Sequence, residues 1–190
     1  GKRVGIGSPG SRQSAAMARV MAALGLSASD FSEVRESLPA EQNRAFCANE
    51  LDAIVYSVGH PNGLIRHATL QCQGVLVPVD GPRIEAMLSR HPQYERAAIP
   101  GGAYDRVNPA DVPTFGVRAV VVATTRMPDR VACEIARAVF DQLDDFRRLH
   151  PAFEALSVTG MVRAAGRAPI HAGAARYYAL KPGSCAGTSP

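Results

Sequence analysis

Apolar and polar positions at the start of the chain follow first a strand pattern and then a helical one. Lys2–Gly7 predicts a strand, and Ser8-Pro9-Gly10 predicts a tight loop. After Ser11 the apolar residues recur every three or four positions, with Ser11 as a suitable N-cap and Gly25 as a left-handed ending. The chain therefore begins with a strand, a glycine-rich loop and a helix.

The same alternation of strands and helices continues to about residue 90. The predicted strands are Glu33–Arg35, Ala53–Val58 and Gly74–Val79, and the predicted helices are Pro39–Ala48, Leu64–Cys72 and Pro82–Arg90. Such alternation at short intervals is typical of an α/β fold, with a mostly parallel sheet and helices on its faces.

The second half of the chain is less regular. We expect a short strand at Arg96–Ile99, a long loop, and the most strongly apolar strand at Phe115–Thr125. A long helix begins at Pro128, and its predicted buried face is Val131, Ile135, Val139, Leu143 and Phe146. Shorter helices are expected at Ala152–Leu156 and Gly173–Leu180, followed by a disordered tail.

Composition narrows the class of protein only slightly. The chain has 190 residues, of which 46% are hydrophobic and 20% charged, so it can bury a core without metal or disulfides. A net charge of +4 is spread along the chain, and Trp is absent. Nucleic-acid binders concentrate positive charge beside aromatic platforms, so this class is disfavoured.

Cysteine spacing indicates neither a redox motif nor a zinc site. The four cysteines show no Cys-x-x-Cys pair and no Cys/His cluster with zinc spacing, so no metal is predicted. A Cys47–Cys72 bridge remains possible in an oxidising compartment.

The first candidate site is the loop from Gly5 to Gly10, which fits G-x-G-x-x-G between a strand and a helix. One interpretation is a dinucleotide-dependent oxidoreductase that uses Gly5, Gly7 and Gly10, although Pro9 offers no N–H. A second is an anion site at the helix N-terminus, where the Ser8 and Ser11 hydroxyls add donors. A plain turn with an N-cap serine is the third.

The second candidate site is the segment from Tyr56 to Gly63, which follows a predicted parallel strand. Ligands bind beyond the carboxyl ends of such strands, where His60 and Asn62 could hydrogen-bond a polar ligand. Taken alone, this loop favours a structural role for His60, as a loop histidine that hydrogen-bonds the backbone. The chain has no Gly-x-Ser-x-Gly elbow and no His-Glu-x-x-His motif, so nothing in it requires an enzyme.

Four segments together resemble the TAXI family of solute receptors, which serve TRAP transporters. They are GKRV with GSPGS (1–11), LDA with GHPNG (51–63), IPGGAY with DVPTFGV (99–117), and HAGAARYY (171–178). In this order and spacing they cover about residues 1–180.

The resemblance implies a periplasmic receptor with two lobes, in a fold of the type II periplasmic-binding-protein kind. Family ligands are small carboxylates such as glutamate, passed to membrane components of the transporter without a chemical step or an organic cofactor. The implied ligand-binding residues are Ser8, Gly10, Ser11, Arg12, Tyr56, His60, Asn62 and Tyr104. Ser8, Gly10 and Ser11 would supply donors, and Arg12 a positive charge.

The resemblance also implies a division of the chain. Residues 1–112 correspond to the second lobe, 113–180 return to complete a first lobe, and 181–190 form the tail. Most of the first lobe precedes the matching region in the family, so we expect an incomplete architecture. The apolar face left exposed would pair with a second copy or with a rearranged C-terminal segment. A truncated receptor that acts only through protein contacts is a further alternative.

Overall fold

The computed structural model describes residues 1–163, 168–179 and 185. Two compact units divide the chain, Gly1–Val117 and Arg118–Pro190. The predicted disordered tail lies outside the described residues except for Cys185, which forms a disulfide with Cys133. The division into lobes of a receptor stays a prediction.

The first unit contains five strands and four helices among its described residues. The strands are β1 (Arg3–Gly5), β2 (Glu33–Arg35), β3 (Ala53–Ile54), β4 (Glu95–Ile99) and β5 (Val112–Gly116). The helices are α1 (Arg12–Leu24), α2 (Pro39–Cys47), α3 (Gly63–Gln71) and α4 (Pro82–Arg90). The α/β fold class, with a small parallel sheet flanked by helices, is confirmed.

Three of the strands form a parallel sheet in the order β2-β1-β3. Val4 lies opposite Val34 on one side and Ala53 on the other, and its side chain is buried. β1 and β3 are also joined at their starts by an ion pair between Arg3 and Asp52. All three strands run in one direction, so the loops after them gather at one edge of the sheet.

The helix signals around α1 are confirmed. Ser11 is its N-cap, with the side chain accepting from the backbone N–H of Ser14, and Gly25 ends it at φ 71°. α1 packs against α4, and α2 packs against α3. Pro39 and Pro82 occupy the first turns of α2 and α4, where the missing N–H costs nothing.

β4 and β5 pair in antiparallel register, with Ile99 opposite Val112. Ile99 packs with Ile65 of α3 and with the fully buried Tyr104 in one core cluster. This cluster joins the antiparallel pair to the segment that follows the parallel sheet.

Two predicted strands are wrong. Residues 74–79 contain no strand, and Val75 and Val77 are 76% and 71% exposed. The strand predicted at Phe115–Thr125 ends at Gly116, and Val121 beyond it is 91% exposed. β-branched residues favour strands only where a neighbouring strand completes the backbone hydrogen bonds, and among the described residues the bond from the Val79 N–H to the Pro113 carbonyl is the one backbone link between residues 74–79 and β5.

The second unit is helical in its described part. Its helices are α5 (Asp129–Phe140), α6 (Leu143–Arg148), α7 (Val158–Arg163) and α8 (Ala172–Ala179). A single 3-10 turn, Pro151–Phe153, overlaps the start of the helix predicted at 152–156, and α7 was not predicted. No helix in the described ranges is long and apolar enough to cross a bilayer.

The apolar face predicted for the helix from Pro128 is buried only in part, and that helix is divided into α5 and α6. Leu143 of α6 is buried, but Val131 and Ile135 are 44% and 45% exposed. The buried residues of α5 are Ala132, Cys133 and Ala136. α8 is the reason, since it packs closely along the small residues of α5. A Cβ on Gly173 would overlap the backbone of Asp129, so only glycine permits this approach.

Candidate functional site

The loops that follow β1, β2 and β3 lie at the carboxyl edge of the parallel sheet. They contain residues 6–11, 36–38 and 55–62. Two of these loops are the candidate segments from the sequence, and the third was not considered. We call this region the carboxyl edge.

The loop after β1 needs glycine at two positions with positive φ. Gly7 has φ 93° and Gly10 has φ 70°. A Cβ on Gly7 would lie 2.7 Å from Cβ of Gln13, whereas a Cβ on Gly10 would meet nothing. This tight turn brings Ser11 to the start of α1, with Arg12 exposed beside it.

The first amides of α1 are the main donors of this loop. The N–H of Ser14 is taken by Oγ of Ser11, and the N–H of Ala15 bonds the carbonyl of Ser11. The amides of Arg12 and Gln13 have no partner within the described residues. Oγ of Ser11 accepts in its cap bond, so its own proton is free to be donated.

Gln42 of α2 is completely buried beneath this loop. Its Oε1 accepts the N–H of Gly7 at 3.0 Å, which fixes the orientation of the amide. Its Nε2 is buried and has no partner among the described residues. A Cβ on Gly5 would lie 2.6 Å from Oε1, so Gly5 makes room for Gln42.

Ser37, in the loop after β2, also has a buried side-chain atom that lacks a hydrogen-bond partner among the described residues, like Nε2 of Gln42. Its Oγ is buried without a partner in the described part of the chain. Its carbonyl lies 3.4 Å from Oγ of Ser8, which donates to it. The loops after β1 and β2 are thus in direct contact, with unused hydrogen-bonding groups beside them.

The loop after β3 is hydrogen-bonded to α1 and to α2. Nε2 of Gln13 donates to the carbonyl of Val55, which connects the first turn of α1 to the end of β3. The hydroxyl of Tyr56 donates to the carbonyl of Pro39 at 3.1 Å, and the amide of Asn43 donates to that hydroxyl at 3.4 Å. Burial raises the pKa of Tyr56, so its hydroxyl remains a neutral donor.

His60, Asn62 and Tyr104 form one hydrogen-bonded group. The hydroxyl of Tyr104 accepts the N–H of Asn62 at 2.9 Å and lies 2.7 Å from Nδ1 of His60. The tautomer of a neutral His60 decides whether Nδ1 accepts the Tyr104 proton or donates to the second lone pair of the phenol oxygen. Burial lowers the pKa of His60, which favours this neutral form.

Asn62 is also the N-cap of α3. Its Oδ1 accepts the N–H of Leu64 at 3.0 Å and that of Ile65 at 3.4 Å. Burial is the main cause of a raised pKa at Tyr104, partly opposed by the N–H of Asn62. Tyr104 therefore holds the His60 segment in place from the interior of the unit.

The predicted residues fall into three groups. Ser8, Gly10 and Ser11 lie in the loop after β1 with Arg12 at the start of α1, and Tyr56, His60 and Asn62 share the segment after β3. Both segments lie at the carboxyl edge. Tyr104 was also expected to bind the ligand, but it is 0% exposed and hydrogen-bonds His60 and Asn62 from the interior.

Sequence reasoning missed four polar residues that organise this edge, namely Gln13, Ser37, Gln42 and Asn43. Gln42 and Asn43 stand between Glu41 and Arg44, which looks like a polar surface in the sequence. Both are nevertheless buried. The sequence signal that could have identified these two residues is that the short helix α2 has no apolar face to bury.

The groups gathered here are hydroxyls, amides and a neutral imidazole, with the positive charge of Arg12 beside them. Helix N-termini and neutral donors bind anionic groups such as carboxylates or phosphates. A dinucleotide loop would offer the N–H of Gly7 to pyrophosphate, but Gln42 already takes it. The arrangement therefore favours binding a small anion.

The chain matches the NMT1-like family over residues 1–180. This is a solute-binding type of family and not an enzyme family, and its members are typically extracytoplasmic. Such proteins bind a small molecule and work with membrane transporters. The match covers almost the whole chain, so the protein belongs to the NMT1-like family, a periplasmic solute-binding type.

Proposed function

We propose that the chain is part of a solute receptor for a TRAP-type transporter of the TAXI kind, and that it captures a small carboxylate such as glutamate. Membership of the NMT1-like family supports solute binding in general. The TAXI-like motifs and the donors at the carboxyl edge support the narrower assignment.

Nε2 of Gln42 is the observation that carries this proposal. It is a buried donor without a partner in the described residues, at the base of the loop that begins α1. An unsatisfied buried donor costs about 1–3 kcal/mol. We propose that the loop after β1 moves on binding, because Gln42 is completely buried beneath it, and that a carboxylate oxygen of the ligand then accepts from Nε2 and removes that cost.

The backbone amides of Arg12 and Gln13 add partial positive charge to the proposed site. Both belong to the first turn of α1, where the helix dipole places partial positive charge. The Ser11 hydroxyl adds a donor from the loop after β1, and the Arg12 guanidinium adds another from the start of α1. We propose that this set holds the carboxylate, and that His60 and Tyr56 contact the remainder of the ligand.

Calorimetric titration tests this proposal with a matched pair of ligands. The full chain is titrated with glutamate and with its diamide, which has the same carbon skeleton and amino group but no carboxylate. We expect the acid to bind at least tenfold more tightly, since only the acid carries negative charge to the α1 N-terminus. Equal affinity for the two, or no binding of either, would contradict a carboxylate receptor.

We also propose that two copies pair through exposed apolar segments. Within the first unit, Val75 and Val77 are 76% and 71% exposed, and within the second unit Val121 and Val122 are 91% and 74% exposed. Valines in extended chain without a paired neighbour are suited to strand addition. A second copy supplies the same segment and would cover it.

A further inference from the structure

Cys47, Cys72 and His67 form a cluster that the proposed function does not use. Cys47 lies at the end of α2, His67 in the middle of α3, and Cys72 just after α3. The two cysteines are joined in a disulfide, and their sulfur atoms and the His67 ring lie within 4.8 Å of one another. The spacing in sequence hides this cluster, since its members come from two helices.

The distances within the cluster match those of a tetrahedral metal site. Nδ1 of His67 lies 3.6 Å from Sγ of Cys47 and 3.8 Å from Sγ of Cys72. Metal–ligand distances of ~2.3 Å to sulfur and ~2.05 Å to nitrogen give a sulfur–nitrogen separation of about 3.6 Å in a tetrahedral zinc site. Only the two sulfur atoms must separate, to about 3.8 Å by the same geometry.

Asn43 holds the His67 ring in position. Its Oδ1 lies 2.8 Å from Nδ1 of His67, while its Nδ2 donates to the carbonyl of Leu64 at 2.7 Å. The Leu64 carbonyl fixes the direction of the amide, so Oδ1 faces the ring. Because Oδ1 only accepts, this bond uses the proton on Nδ1 of His67, and a metal bound at Nδ1 would take the place of the bond.

We propose that the reduced chain binds one divalent cation of the zinc class through Cys47, Cys72 and His67. The disulfide and the metal are then alternative cross-links between α2 and α3. His67 is exposed, so water completes the fourth position and can donate to Oδ1 of Asn43. Two thiolates and an imidazole select zinc-like cations over magnesium or calcium.

A dithiol can supply the electrons that convert the disulfide into two thiols able to bind the metal. A dithiol donor transfers two electrons and two protons to the disulfide and becomes a disulfide itself, which leaves two thiols on the chain. Metal binding then displaces both thiol protons to solvent. The proton on Nδ1 of His67 moves to Nε2, which frees Nδ1 as a ligand.

Cobalt titration of the full chain tests the proposal, because Co²⁺ reports thiolate ligation and tetrahedral geometry by its absorption. The chain is reduced with a trialkylphosphine, which takes oxygen from water as the disulfide gains two hydrogens, and is then desalted without air. We expect one Co²⁺ per chain with thiolate charge-transfer bands, displaced by one equivalent of Zn²⁺. The oxidised chain should show no such bands.

Variants separate this site from other thiols and histidines. Replacing Cys47 and Cys72 together by Ser should abolish the bands, whereas replacing Cys133 and Cys185 together by Ser should leave them unchanged. His67→Gln should weaken binding at least tenfold, and His91→Gln should not. Absence of bands in the reduced chain would overturn the proposal. Unchanged bands in His67→Gln, or in the chain without Cys47 and Cys72, would overturn it equally.

Discussion

At the scale of single residues, we expect individual donor atoms to determine whether the carboxyl edge binds an anion, and the Ser11 hydroxyl is the clearest example. Its Oγ caps α1 by accepting from Ser14, while its proton remains available to a ligand. A cap and a ligand contact can thus be separated by substitution. The sequence was sufficient to identify the cap, because serine before a helical apolar pattern is a strong local signal.

Ser11→Asn and Ser11→Asp form a matched pair at this position. Both side chains are good N-caps, so each should leave the free energy of unfolding within about 1 kcal/mol of the parent. Asp places negative charge against the ligand, and we expect its dissociation constant for glutamate to rise at least tenfold above that of the Asn variant. Calorimetry measures both constants. Equal constants would remove Ser11 from the binding site.

Tyr104→Phe tests the group that holds the His60 segment. The substitution removes the acceptor of the Asn62 N–H and the hydrogen bond to His60, and we expect it to cost about 1–3 kcal/mol of unfolding free energy. Tyr94→Phe is the control, since the Tyr94 hydroxyl has no hydrogen bond among the described residues. Denaturant unfolding measures both variants, and an equal small effect would contradict the role of Tyr104.

His60 makes stability depend on pH. Its pKa is lowered in the folded chain, so below the unfolded value of about 6.5 the unfolded state binds a proton that the folded state resists. The free energy of unfolding should therefore fall as pH drops through that value. His60→Gln should reduce this fall in denaturant titrations at several pH values. An unchanged pH dependence in the variant would contradict the assignment.

At the scale of elements, local signals were reliable and long-range ones were not. Ser11, Gly25, Pro39 and Pro82 marked helix ends correctly, since caps and proline act within one turn. The strand at Phe115–Thr125 failed beyond Gly116, because a strand also needs a neighbour that sequence does not reveal. Gln42 was missed for a similar reason, as its burial depends on packing against the loop after β1.

The turn between β1 and α1 can be tested with two glycines. Gly7→Ala and Gly10→Ala both place alanine at positive φ, which costs about 1–2 kcal/mol. Only at Gly7 does the new Cβ also meet Gln13 and Ser11, at 2.7 Å and 2.9 Å. We expect the Gly7 variant to lose more unfolding free energy and to bind ligand more weakly. Equal losses would show that the turn does not depend on this contact.

At the scale of the whole molecule, the chain is two compact units with apolar residues left uncovered in each. The resemblance to a two-lobed receptor predicts an exposed apolar face, and where that face lies stays a prediction. Sequence could not say which residues would be exposed, because Val75 and Val121 look like interior strand residues.

Sedimentation velocity over a range of concentrations tests the proposed pairing. We expect a dimer that dissociates on dilution, and Val121→Lys should shift it towards monomer, because a lysine in the apolar contact must be desolvated. Val131→Lys changes an exposed valine on α5 and should have little effect. A monomer at every concentration, or equal effects of both variants, would contradict pairing through the exposed segment that contains Val121 and Val122.

Thermal unfolding of the full chain with a panel of small carboxylates tests the central claim most directly, with glutamate included and NAD(H) as the comparison. A ligand that binds only the folded state at a hundredfold excess over its dissociation constant adds about 2.7 kcal/mol of stability. The account predicts such a rise with at least one carboxylate and none with NAD(H). No rise with any carboxylate, or a rise with NAD(H) alone, would contradict it.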